Sequence, residues 1–171
     1  RQRYTNGCDR RNYDDARKTK ISVRYPLGKS RSEIIDGGRS MPGITPVEAR
    51  RQIVNMVRDF VRREVLPIAQ EYEAKDQYPS RLIDQMVDMG LFGITIPEKY
   101  GGMELDYATF ASIFEELSKG WMSLTGPIGT HHIVSYILNS YGTEEQKDRF
   151  LPSMARGKLR GGLGLTEPNA G

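Results

Sequence analysis

The sequence predicts an all-α fold, a helical bundle with one glycine-rich strand attached near its C-terminal end. Three observations predict it. Apolar residues recur at helical spacing in successive stretches between residues 46 and 155. Capping residues and Gly or Pro stops punctuate those stretches. After Gly157 the pattern changes to "KLRGGLGLT", small residues in an extended run.

Each element has its own reason. Thr45-Pro46-Val47-Glu48 is a capping box with proline at the first helical position, and Ile53, Val57, Phe60 and Val61 follow as one face. Pro67 predicts a kink or break near Leu66, with a shorter helical piece running on to about Asp76. Ser80 is the expected cap of a second helix carrying Leu82, Ile83, Met86 and Val87, closed by Gly90. "LFGITIPEKYGG" reads as a short extended apolar piece and then a turn. Asp106 caps a third helix, whose stripe is Phe110, Ile113, Phe114 and Leu117 and whose end is Gly120. A fourth helix starts near residues 125–129 and carries Val134, Ile137, Leu138 and Tyr141, read as core. Thr143-Glu144-Glu145-Gln146 is a second capping box, opening a fifth helix with Phe150, Leu151 and Met154. Helices of this number can bury a core of their own.

Charge is unevenly spread. Residues 1–40 hold 11 Lys+Arg and 5 Asp+Glu, a net of +6, while the other 131 hold 14 and 17, a net of −3. The body therefore lacks the basic face that nucleic-acid binding requires. The single cysteine, Cys8, excludes an intrachain disulfide and a cysteine-based metal site. No apolar run approaches the roughly 20 residues needed to span a bilayer, and no apolar segment follows the basic start as a secretory signal requires.

Residues 1–43 read as a basic extension without periodicity. Five acids among the first forty argue against a transit peptide. Gly28-Lys29-Ser30 is not a phosphate loop, because Val23 stands where that motif needs glycine. Met41 is a candidate start, with Gly37-Gly38 encoded by a ribosome-binding-like GGN-GGN just upstream and the preceding residues read through from upstream DNA.

Three chemical constellations fail. His131-His132 lack the Glu-x-x-His pattern of a di-iron bundle, since Ile128 and Gly129 stand three residues before them, so packing or hydrogen bonding explains both rings. Glu115 and Glu116 are adjacent, on different sides of a helix, and Glu116 reads as a solvated surface acid. Gly162-Leu163-Gly164 does not open a dinucleotide fingerprint, because the third glycine position is Glu167. What remains is a glycine-rich strand ending in a Thr-Glu-Pro loop, which offers backbone amides and the Thr166 hydroxyl to a planar ligand.

That loop carries a resemblance. "GLTEPNAG" resembles the Leu/Val-Thr-Glu-Pro-x-Ala-Gly-Ser-Asp signature of the acyl-CoA dehydrogenase family. "GLFGITIPEKYGGMELDY" and "YGTEEQKDRFLPSMARGKLRGGLGLTEP" are similar to the family's link between early helices and its run into the middle domain. Together they cover roughly Pro46 to Gly171. The resemblance implies residues 44–158 as the family's N-terminal helical domain and 159–171 as the start of its middle β-domain, cut within the FAD-binding loop. It implies FAD at Leu163, Gly164, Leu165, Thr166, Glu167, Pro168, Asn169, Ala170 and Gly171, with Thr166 foremost.

The implied reaction is α,β-dehydrogenation of an acyl-CoA thioester. A carboxylate from a C-terminal domain takes the α-proton, so no catalytic residue is assigned in this chain, and the piece alone is expected to be inactive and to hold FAD poorly. "GWMSLTGPIGTHH" would line the far end of the acyl pocket, through Trp121, Ser123, Thr125, Gly126 and Gly129. An ordinary helix crossing explains the same small residues equally well. An electron acceptor such as an electron-transfer flavoprotein, a homo-oligomer, and a location in the bacterial cytoplasm or the mitochondrial matrix follow from the same likeness. The competing readings are a flavin oxidase or monooxygenase of the same fold, and a helical interaction module without cofactor.

Overall fold

The computed structural model describes residues 46–169. The basic extension with Cys8 and Met41, the cap at Thr45, and Ala170 and Gly171 of the C-terminal motif lie outside the described residues.

Helix α1 spans Pro46–Phe60 and turns Val57 and Phe60 inward. It runs directly into a π-helical turn, Val61–Val65, in which the Leu66 N–H donates to the Val61 carbonyl at 2.9 Å. Pro67 lacks an N–H and crowds the carbonyl four residues back, and a widened turn relieves both problems without a break. The expected kink is therefore a bulge, and it keeps both Val61 and Val65 buried. A short α2, Ala69–Ala74, follows.

Helix α3 spans Ser80–Asp88 and buries Leu82, Ile83 and Met86. Ser80 is its first residue rather than its cap: Pro79 holds that position and no side chain caps the end. The Ser80 N–H is already used in the preceding turn, donating to the Tyr78 carbonyl at 3.0 Å. Gly90, at φ 76°, turns the chain after α3.

The "LFGITIPEKYGG" stretch is not extended. It forms two 3-10 turns, Leu91–Gly93 and Glu98–Tyr100, and then doubles back on itself. Met103, Glu104 and Leu105 donate to the carbonyls of Gly93, Ile96 and Ile94 at 2.8, 3.0 and 2.8 Å. A strand alternates its faces, whereas Leu91, Phe92, Ile94 and Ile96 are all buried, so coiled turns serve this run better.

Helix α4, Tyr107–Gly120, starts as the sequence expects: Asp106 accepts from the Thr109 N–H at 2.9 Å and its hydroxyl at 3.0 Å. Ile113 and Leu117 are fully buried, with Phe110 and Phe114 packed beside them. A 3-10 turn, Met122–Leu124, leads into α5, Thr125–Tyr141. The last helix, α6, spans Glu144–Ala155 behind a complete capping box between Thr143 and Gln146.

The core has two parts. The larger joins α1, the π turn, α3, the 91–94 turn, α4 and the start of α5. The smaller gathers Ile96, Tyr100, Leu151, Met154 and Ala155, flanked by Val134 and Leu138.

Two expectations need correction here. The inward stripe of α5 is Ile128, His131, His132 and Ser135. Of the residues read as core, Val134 and Leu138 are half-buried against the smaller core, whereas Ile137 and Tyr141 lie on an outer apolar face, 47% and 78% exposed. The rotation follows from hydrogen bonding, since the histidines find carbonyl partners inside and aliphatic residues have none to find. "KLRGGLGLT" also forms no strand among the described residues: none of 158–166 is in a strand or a bridge. A lone strand has no neighbouring ladder to satisfy its backbone, so the segment stays irregular.

Candidate functional site

The Thr-Glu-Pro loop leaves the helical body at a built exit. After α6, Gly157 takes φ 65°, and a Cβ there would lie 2.7 Å from Val87 Cγ2, so only glycine lets this turn settle against α3. The Lys158 and Leu159 amides donate to the Ser153 carbonyl at 3.0 and 3.2 Å. The Arg160 guanidinium lies over the Phe92 ring at 5.6 Å and reaches the Tyr78 hydroxyl at 3.3 Å. The Gly161 N–H donates to His131 Nδ1 at 3.2 Å.

Both histidines are buried and both are neutral. The Phe92 carbonyl lies 3.0 Å from His131 Nε2, and the Leu91 carbonyl 2.9 Å from His132 Nε2. Carbonyl oxygens only accept, so each Nε2 carries the proton and each Nδ1 is an acceptor. His132 Nδ1 takes the Thr95 hydroxyl at 2.9 Å. Burial lowers the pKa of both rings, that of His132 to about 4. The pair thus fastens the 91–95 turn to α5 and leaves neither ring for a metal. Among the described residues no cluster of three His, Cys, Asp or Glu stands together as a metal site.

Residues 162–169 beyond this exit are exposed. A Cβ at Gly162 or Gly164 would meet nothing within 4 Å, so the backbone is open to approach along that edge. Leu163 is 38% and Leu165 79% exposed, with the Thr166, Glu167, Pro168 and Asn169 side chains outside as well. Approachable backbone amides beside a threonine hydroxyl fit the edge of a planar, hydrogen-bonding group such as a flavin ring.

The five residues expected at an acyl pocket do not share one cavity. Trp121 and Ser123 line a cleft of about 290 Å³ with Tyr72, Glu73, Tyr78 and Pro127. Trp121 Nε1–H donates to Glu73 Oε2, and Tyr72 meets the indole edge-on at 6.1 Å. Thr125 spends its hydroxyl on the Met122 carbonyl at 2.6 Å. Gly126 is exposed and its Cβ position is open. Gly129 faces α4, where a Cβ would lie 3.2 Å from Phe114 Cζ. Beside the loop exit lies a wider apolar groove of about 490 Å³, lined by Val134, Ile137, Leu138, Tyr141, Phe150 and Leu159 among others.

Glu116 is no solvated acid. It is 6% exposed and takes Arg58 Nε and Nη2 at 3.1 and 2.9 Å, with Lys119 Nζ at 3.0 Å. The Arg58 hydrogen bonds hold its pKa down at about 2, against the cost of burial. Its spacing of three from Ile113 is the sequence signal that places it on the buried face.

The sequence model of a protein family, Acyl-CoA dehydrogenase, N-terminal domain, matches residues 47–158. The short-chain specific acyl-CoA dehydrogenase of Clostridium acetobutylicum is 40% identical over 118 residues, which are 68% of this chain and 31% of that protein. The 3-(aryl)acrylate reductase of Clostridium sporogenes is 34% identical over 131 residues, 72% of this chain and 33% of that protein. Among solved structures, butyryl-CoA dehydrogenase from Megasphaera elsdenii matches with a TM-score of 0.68 at 28% identity, over 78% of this chain and 35% of that one. The chain spans about a third of the length of the curated relatives it matches.

Proposed function

Because the chain belongs to the acyl-CoA dehydrogenase family, we propose that it is the N-terminal part of an FAD-dependent enzyme that dehydrogenates an acyl-CoA thioester between Cα and Cβ. The observation that carries this reading is continuity. The match ends at residue 158, the chain reaches Thr166 eight residues later, and the fold fastens the exit from which that loop departs.

Residues 163–171 hold the flavin edge through backbone amides and the Thr166 hydroxyl. When bound, FAD would supply the hydride acceptor for the β-hydrogen. The α-proton goes to a carboxylate supplied by a later domain. Glu116 is unsuited to that task, because Arg58 and Lys119 already occupy its oxygens. Within the 121–129 segment, Trp121 and Ser123 line the cleft that would take the far end of the acyl chain, whereas Gly129 packs toward the Phe114 ring of α4. Electrons leave to an acceptor such as an electron-transfer flavoprotein, and the enzyme works as a homo-oligomer. Among the described residues no helix is long and apolar enough to cross a membrane. The location proposed from the family likeness alone is the bacterial cytoplasm, or the mitochondrial matrix in a eukaryote. By itself the chain binds FAD weakly and lacks activity.

The reductase relative supports a second reading, in which the same site adds hydrogen to a conjugated double bond rather than removing it.

The test is to purify the protein translated from the whole reading frame. It should carry FAD and lose it more readily after Thr166→Val, and a colourless protein that takes up no added FAD contradicts the reading.

A further inference from the structure

We propose that His131 is a positioning residue for the flavin loop, its Nδ1 fixing the Gly161 amide at the point where the chain leaves the helical body. The inference rests on the flavin reading of residues 163–171. His131 is fully buried and immobilised from behind: its Nε2–H is bound to the Phe92 carbonyl at 3.0 Å, and the Phe92 ring meets it edge-on at 5.1 Å. With Nε2 committed, the one remaining lone pair is on Nδ1, and it receives the Gly161 N–H at 3.2 Å. The other face of residue 161 is closed too, since a Cβ there would lie 2.7 Å from Val134 Cβ. Residue 161 is thus pinned between two side chains of α5, whereas everything from 162 to 169 is exposed.

That contrast makes residue 161 the pivot of the loop. Thr166 follows five residues later, at up to about 3.5 Å of chain per residue. A small rotation at the pivot therefore displaces the Thr166 hydroxyl and the backbone amides around it by several times as much. Fixing the pivot before the cofactor arrives reduces the ordering that binding must supply.

Two substitutions separate positioning from mere packing. In His131→Gln the side-chain nitrogen reaches the place of Nε2 and keeps the Phe92 bond, but nothing accepts from Gly161. In His131→Asn the side-chain oxygen stands near the place of Nδ1 and accepts from Gly161, while the Phe92 bond is lost. Amide exchange of Gly161, read by NMR on the 171-residue chain, should quicken about three- to tenfold in the glutamine variant and stay near wild type in the asparagine variant. In the protein from the whole reading frame, FAD affinity should fall about three- to tenfold with glutamine and stay within about twofold with asparagine, whichever variant melts lower.

Unchanged Gly161 exchange in the glutamine variant overturns the proposal. So does a loss of FAD that simply follows thermal stability across the two variants. An enzyme that binds no FAD with His131 intact overturns the flavin reading instead, and the Gly161 exchange then still decides whether His131 is the anchor.

Discussion

Arg58 and Glu116 stand 58 residues apart in the sequence and share two hydrogen bonds, Nε to Oε2 at 3.1 Å and Nη2 to Oε1 at 2.9 Å. The fork joins α1 to α4 at the edge of the larger core, and Lys119 completes the carboxylate from the next turn of α4. An acid this buried is tolerated because its oxygens are filled.

Glu116→Gln should lower stability by about 1–2 kcal/mol at neutral pH, because a charged acceptor becomes a neutral one and one side-chain position turns from acceptor to donor toward two cations. The sign of its pH dependence is fixed by the depressed pKa. The folded carboxylate resists protonation until about 2, while the unfolded one titrates near 4.5. Its stabilisation is complete above about 4.5 and drains away as pH falls toward 2. Urea midpoints across that window should fall less steeply in Glu116→Gln than in the wild type.

The buried histidines act at milder acidity. His132 protonates near 6.5 when unfolded but only at about 4 when folded, and His131 is lowered in the same direction. The unfolded chain therefore takes up protons first as pH falls. Stability should drop by about 2 kcal/mol between pH 7 and pH 5 from His132 alone. His132→Gln, which keeps a donor for the Leu91 carbonyl, should flatten that slope; an equally steep loss in the variant would assign it to other groups.

Two glycines should respond in opposite ways. A Cβ at Gly102 would lie 1.9 Å from the Ile96 carbonyl oxygen, so Gly102→Ala must force apart the fold-back of residues 93–105 and cost about 2 kcal/mol or more. Gly126 lies in the first turn of α5 with open space at its Cβ, so Gly126→Ala should stabilise by about 0.5 kcal/mol. Thermal unfolding of the pair reads both signs.

The outer face of α5 should behave as an uncovered surface in the 171-residue chain. Ile133, Ile137 and Tyr141 are each about half exposed or more. Ile137→Lys should reduce binding of a hydrophobic dye and leave the melting temperature within about a degree or two, since no core contact is lost. A large drop in melting temperature would show that Ile137 carries core packing.

Much of this was legible in the sequence. The Asp106 and Thr143 caps announce themselves through local hydrogen bonds, and the stripes of α3 and α4 through period alone. The α5 register was not legible, because period counting favours aliphatic residues and the inward face is built on two histidines whose carbonyl partners lie about 40 residues away. The burial of Glu116 is illegible for the same reason, its partner Arg58 being on another helix. The apolar content of "LFGITIPEKYGG" resembles a strand; only the fold-back from residues 103–105 shows where its backbone bonds go. The Thr-Glu-Pro motif is legible as a pattern of letters, whereas the Gly161–His131 hydrogen bond at the loop's exit joins residues 30 apart and leaves no local signal.

The most direct test of the central claim is an anaerobic titration of the whole-frame protein with saturated acyl-CoA thioesters, following the visible flavin absorbance. The account predicts bleaching, with one 2-enoyl-CoA formed per flavin reduced. A flavin that stays oxidised with every thioester, while another class of substrate reduces it, would contradict the account.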